Sequence, residues 1–229
     1  MTPSKKASLI SVCVLFMALT SACTSAPIDE NNPEELFKDA EEEIQNDHYL
    51  VAIEKLKSIK NRFPYSNYSL ESHLRIADIF FLQELFDEAA ATYESFVDLH
   101  PRHPKAAYAM FKVGKSYMNN IPSKIDRDLT SAEKSLKSYE AFIKRFPQAP
   151  EAIEARQDIQ GIRTLMASKE LMIGDFYLKR KHPDSAKNRY KKILELYSET
   201  DVAKIAQEKL DKISNSELNE GELQSHGSK

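Results

Sequence analysis

The chain has 229 residues, 41% of them hydrophobic and 29% charged, with no Trp, only 5 Gly and a formal net charge of −3. Such a balance suits one or two mostly helical domains with a sizeable core. It excludes a basic surplus that would steer the chain toward polyanions, and none of the glycines forms the Gly-x-Gly array of a phosphate-cradling loop.

The first 22 residues read differently from the rest. Lys5 and Lys6 form a positive start, Leu9 to Leu19 an apolar run of 11 residues, and Thr20, Ser21 and Ala22 are small. This is the layout of a secretory signal, and the run is far shorter than the roughly 20 residues that cross a bilayer as a helix. Residues 1–22 are therefore predicted to be removed, which takes the formal charge from −3 to −5. Cys13 lies inside the segment, so the exported chain keeps one thiol, Cys23, at its new N-terminus, with no intramolecular disulfide. The stretch "LTSAC" resembles the lipobox of bacterial lipoprotein signals, with Leu19 four residues before the cysteine rather than three. The resemblance implies that Cys23 is acylated, palmitate included. Several acyl chains on one residue anchor a protein where a single chain binds only marginally. Thr24, standing where an Asp would retain the protein elsewhere, implies sorting to the outer membrane.

Residues 23–33 are polar, acidic and Pro-containing, and read as a tether. From 34 to 213 the chain repeats itself. The punctuation is an aromatic or a Leu-His pair followed by proline, in "KNRFPYS", "VDLHPRH" and "IKRFPQA"; Pro64 and Pro101 are 37 residues apart, Pro101 and Pro147 46. Those periods are typical of helical repeats. A small residue recurs thirteen after the proline (Ala77, Gly114), with an aromatic three further on (Phe80, Tyr117). The second helix of each unit carries a matching trio: Ala52, Leu56 and Ile59; Ala89, Tyr93 and Phe96; Ser135, Tyr139 and Phe142; Ala186, Tyr190 and Ile193. Spacings of four and three put each trio on one helix face. The small residue lets two helices approach, an aromatic fills the space beside it, and proline ends the second helix. This is tetratricopeptide logic, and it predicts an all-α solenoid of about four to five helix pairs. The third unit holds nine extra residues, in "MNNIPSKIDRDLTSAEK", and Ala149 to Arg180 reads as one long helix before the turn at "KHPDSA". Residues 214–229 are polar without an apolar period and read as a disordered tail.

The same register marks candidate surfaces. Leu74, Asp78 and Phe81, and in the next unit Phe111, Lys115 and Met118, share a face distinct from the packing face. In such a solenoid that face lines the concave groove, where apolar residues mixed with charge suit peptide capture. Packing against the next repeat is the other reading. Inserts on solenoids tend to map to one face, which makes Asp126, Arg127 and Asp128 candidate partner contacts, or else a local helix cap.

Lipobox, acidic tether, "RFPYSNYS", "DLHPRHPKAAYAMFKVGKSYM", the "DRD" insert, "FIKRFPQAP" and "FYLKR", in that order, resemble the BamD family of outer-membrane assembly lipoproteins. The resemblance covers 34–213. It implies an α-solenoid hung from the outer membrane on its periplasmic face by Cys23. It further implies binding to the POTRA domains of a BamA-type barrel-inserting subunit, to unfolded outer-membrane barrel proteins and to other assembly lipoproteins. Arg180 matches the family's arginine at "FYLKR", near the POTRA-facing surface; the alternative there is a solvated cation at its own helix end. The tail implies that the family's last helix is missing or degenerate.

Chemistry is sparse. His100 and His103 flank Pro101 in a turn with no further His or Cys nearby, so a metal reading is weak. The three Glu of "EEEIQND" point to different helix faces, and "KNRYKK" is too short and too mixed for nucleic acid. The expectation is a scaffold and substrate receptor of outer-membrane β-barrel assembly, without catalysis, metal or cofactor. A tetratricopeptide adaptor for peptidoglycan or pilus assembly is the alternative, and a lipid-anchored hydrolase lacks a nucleophile constellation.

Overall fold

A computed structural model describes residues 28–226; the expected signal segment 1–22 and the lipidation site Cys23 lie outside the described residues. The described residues form helices α1 (Pro33–Gln45), α2 (Tyr49–Arg62), α3 (Asn67–Leu82), α4 (Phe86–Leu99), α5 (Ala106–Asn119), α6 (Thr130–Arg145), α7 (Ala152–Lys179), α8 (Pro183–Leu196) and α9 (Asp201–His226), and no strand. Each helix packs on its successor, giving four pairs and a ninth helix: the expected all-α solenoid of tetratricopeptide type.

Local chemistry sets the ends. The Asn32 side chain accepts the Glu34 amide at 3.0 Å ahead of Pro33, and Ser66 accepts the Ser69 amide at 3.1 Å. Second helices α2, α4 and α6 end on Phe63, His100 and Phe146, each before a proline that disfavours a helical residue in front of it. Within pairs, the turns after α1, α3 and α7 hold Asp47, Glu84 and Lys181 at φ values of 60°, 59° and 61°. At each, the next amide reaches back five residues, as in His48 to the Glu43 carbonyl at 2.9 Å, Leu85 to Phe80 at 2.9 Å and His182 to Tyr177 at 3.0 Å. These are three Schellman endings at one point of the repeat, made without glycine.

All four second-helix trios are fully buried. Each core cluster also recruits the first helix of the following unit: Ile76 and Ile79 join Leu56 and Ile59, and Ala109 and Val113 join Tyr93 and Phe96. The small residues act as expected. A methyl group on Gly114 would stand 2.5 Å from the Tyr139 ring, and one on Gly174 2.4 Å from the Tyr190 ring. The 28-residue α7 serves two units, through Ala152, Ala155 and Ile162 at one end and Ala167 toward the other.

The C-terminus differs from the expectation of a disordered tail over 214–229. Helix α9 continues to His226. Glu217, Leu218, Glu220, Glu222, Leu223 and Gln224 are good helix formers, no proline intervenes, and an apolar period is not needed to continue a helix already anchored by packing. Residues 214–226 are therefore helical, as a continuation of α9.

Candidate functional site

The first helices of three successive units enclose a groove of about 490 Å³, lined by Phe37 and Glu41 of α1, Leu74, Arg75 and Asp78 of α3, and Lys105 and Tyr108 at the start of α5, among others. Its walls are tied by charge. Arg75 donates Nε and Nη2 to the two oxygens of Glu41 at 2.6 and 2.8 Å and places Nη1 3.7 Å from Asp78. Such a bidentate pair fixes the guanidinium plane. Lys105 pairs with Glu71. Asp78 accepts the hydroxyls of Tyr93 and, at 2.7 Å, Tyr108; burial first, and then the Asp78 charge, raise both phenols well above the ordinary tyrosine range.

Of the expected groove residues, Asp78 lines the groove as its polar hub. Leu74 touches it from inside the core of the second unit, with 3% of its surface exposed. Phe81 is half-buried, its ring against Phe86 at 5.5 Å and beneath the Lys112 ammonium. The equivalent residues one unit on serve packing. Phe111 is 7% exposed and stacks 5.8 Å from both Tyr139 and Phe142, because the insert lets α6 and its Leu129 close over that face of α5. Met118 packs on the same cluster, its sulfur 3.9 Å from the Tyr139 hydroxyl. Lys115 bridges to Glu154 at 2.7 Å and Asp158 at 3.1 Å on α7. Burial opposes that ammonium's charge, but the two carboxylates carry its pKa above the ordinary value. A common apolar floor of Phe81 and Phe111 is not formed.

The insert is held against α7. The Asp128 carboxylate accepts the Thr130 hydroxyl at 2.9 Å and its amide at 3.1 Å, bonds that lower its pKa and begin α6. The Lys169 ammonium donates to the Arg127 carbonyl, leaving the side chains of Asp126 and Arg127 exposed. Arg180 ends α7, also exposed, its guanidinium 5.3 Å from the centre of the Phe176 ring, which is itself 53% exposed. Arg127 and Arg180 thus lie along the same long helix, reached at Lys169 and at its C-terminus.

What sequence reading missed is the carboxylate system. Tyr93 donates to Asp78, Tyr190 to Asp175 at 2.7 Å and Tyr139 to Asp158 at 2.7 Å. In the second and fourth units the acid directly follows the small residue (Ala77-Asp78, Gly174-Asp175). In the third, Lys115 stands there and Asp158 is borrowed from the next helix. The small-acid dipeptides were the available signal.

Among the described residues no group of three or more His, Cys, Asp or Glu is arranged to hold a metal ion, and no helix is long and apolar enough to cross a membrane. Residues 29–225 match the YfiO family, described as outer membrane lipoprotein. The chain belongs to that family. Relatives named outer membrane protein assembly factor BamD include that of Vibrio cholerae, 26% identical over 203 residues, covering 83% of this chain and 84% of the relative. The Neisseria gonorrhoeae protein is 27% identical over 86% of this chain and 83% of its own length. That of Rickettsia prowazekii is 32% identical over 66% and 60%. The match to residue 225 extends through the helix that the sequence had implied to be degenerate.

Proposed function

We propose that the protein is a non-enzymatic scaffold and substrate receptor in the assembly of outer-membrane β-barrels. It hangs by acylated Cys23 from the periplasmic face of the outer membrane. Its partners are the POTRA domains of a BamA-type subunit, unfolded barrel clients and other assembly lipoproteins. The observation that carries this reading is the family match over almost the whole described chain, together with relatives named as assembly factors. The groove between α1, α3 and α5 offers clients an aromatic and charged lining. The exposed Arg127 and the Arg180–Phe176 pair offer the POTRA partner a planar cation that takes a carboxylate in two hydrogen bonds.

Affinity purification of the full chain from detergent-solubilised membranes tests the reading. Recovery of a POTRA-bearing barrel supports it; recovery of wall-binding proteins alone sends the function to another envelope assembly. Arg180→Glu should leave the melting temperature nearly unchanged, since the side chain is exposed and rests against the likewise exposed Phe176 ring, and weaken POTRA binding by ~2–5 kcal/mol where it strands a buried partner carboxylate. A binding constant unchanged by the reversal would move the docking surface off this helix end.

A further inference from the structure

Facing first helices are joined by a ladder of opposite charges: Arg75 to Glu41, Lys105 to Glu71, and Lys115 to Glu154 and Asp158. Lys112 breaks the ladder. It stands one helical turn past Tyr108 on α5, and its ammonium rests over the Phe81 ring, 3.2 Å from the ring centre, with the Tyr93 ring 5.9 Å away. Among the described residues it makes no ion pair. The repeat register explains the vacancy. Lys112 lies 37 residues after Arg75, and the residue 37 after Glu41 is Asp78. Glu41 is given over to Arg75, but Asp78 is already occupied by two tyrosine hydroxyls with Arg75 beside it. Glu154, the other acid whose field reaches Lys112, is bonded to Lys115. Burial lowers the pKa of this ammonium, and aromatic faces replace only part of the lost hydration.

We propose that Lys112, one helical turn beyond the groove residue Tyr108 and supported by the Phe81 ring, receives a carboxylate of an extended client peptide, an inference that rests on the client-receptor reading above. The ammonium is already partly stripped of water in the free protein, so an incoming anion gains a charge-assisted hydrogen bond without the full desolvation a surface lysine would incur. The bound carboxylate supplies the counter-ion that Asp78 and Glu154 supply elsewhere. An acidic side chain and a chain terminus present the same chemistry.

The experiment is fluorescence anisotropy of the full chain in detergent, with a labelled barrel-strand peptide bearing one internal Glu and a free C-terminus. Lys112→Met should weaken binding roughly 10- to 100-fold and flatten its salt dependence, while Lys112→Arg stays within a few-fold of the unaltered protein. The Met variant should be no less stable to urea, because it removes a charge without a counter-ion. Two further peptides locate the anion, one with Glu→Gln and one amidated at its C-terminus. The neutralised group that reproduces the loss in the unaltered protein, and adds nothing in Lys112→Met, is the ligand. If neither does, or if Lys112→Met binds all three peptides as tightly as the unaltered protein, the assignment is overturned. Failure of the unaltered protein to bind any of the peptides would instead overturn the client-receptor reading.

Discussion

A single buried imidazole makes the fold sensitive to acid. His73 on α3 is 6% exposed, packed edge-on to Phe96 at 5.6 Å and facing His100 at 6.4 Å, with Lys60 of α2 and His103 completing the basic corner. Burial first, then the charges of Lys60 and His100, hold its pKa at about 4 against an ordinary 6.5. The sign follows directly. The unfolded chain takes up a proton near pH 6.5 that the folded chain refuses until about 4, so this contribution is complete above 6.5 and lost as pH falls toward 4. Its size is on the order of 2–3 kcal/mol. Urea midpoints measured at about pH 7.5 and about pH 4.5 should therefore converge for His73→Phe more than for the unaltered protein, whose drop includes the histidine on top of its carboxylates. Equal drops would show that the imidazole is protonated in place at no cost. His73 stands nine residues after Pro64, as Met110 does after Pro101, so its packing register could be read from the sequence; the basic corner could not, because Lys60 and the His100–His103 turn come from two other points of the chain.

At the scale of helices and turns, the sequence was most legible where one residue type does one steric job. The buried trios of the second helices and the small residues beneath Tyr139 and Tyr190 follow from spacing alone. So do the ends of α2, α4 and α6 before proline. The turns inside the pairs were illegible, since Asp47, Glu84 and Lys181 take a left-handed conformation that glycine would have announced. Phe111 was ambiguous for another reason: its register equals that of Leu74, and only the insert between α5 and α6 decides what covers it. The turn geometry has a measurable consequence. Glu84 is exposed, and the left-handed conformation disfavours any residue with a Cβ. Glu84→Gly should stabilise the protein by about 0.5–1 kcal/mol despite the greater freedom of glycine in the unfolded chain, whereas Glu84→Ala should not. Calorimetric melting of both variants checks this, and a gain for alanine equal to that for glycine would mean that the charge, not the backbone, sets the effect.

The whole molecule is a one-dimensional stack in which each unit is closed by the next, so its end needs a cap. For the fourth unit the cap is α9, whose Val202, Ala203, Ala206, Leu210 and Ile213 cover Ala186, Tyr190 and Ile193, while Lys209 pairs with Asp175 at 2.9 Å. Truncation should separate this cap from the rest of the helix. A chain ending at residue 200 leaves the apolar face of α7 and α8 open to water. It should lose cooperative unfolding of the C-terminal units and self-associate through the exposed face. A chain ending at residue 215 keeps Val202, Ala203, Ala206, Leu210 and Ile213, the residues of α9 described as buried apolar cover, and should melt within a few degrees of the full chain. Hydrogen exchange resolves the two outcomes by unit: with the shorter chain, protection should fall first in α7 and α8 and persist in α1 to α4, because the stack transmits loss only from neighbour to neighbour. Uniform loss of protection along the solenoid would show that the repeats fold as one indivisible unit. Unchanged protection in α8 would show that α9 is dispensable to the fold.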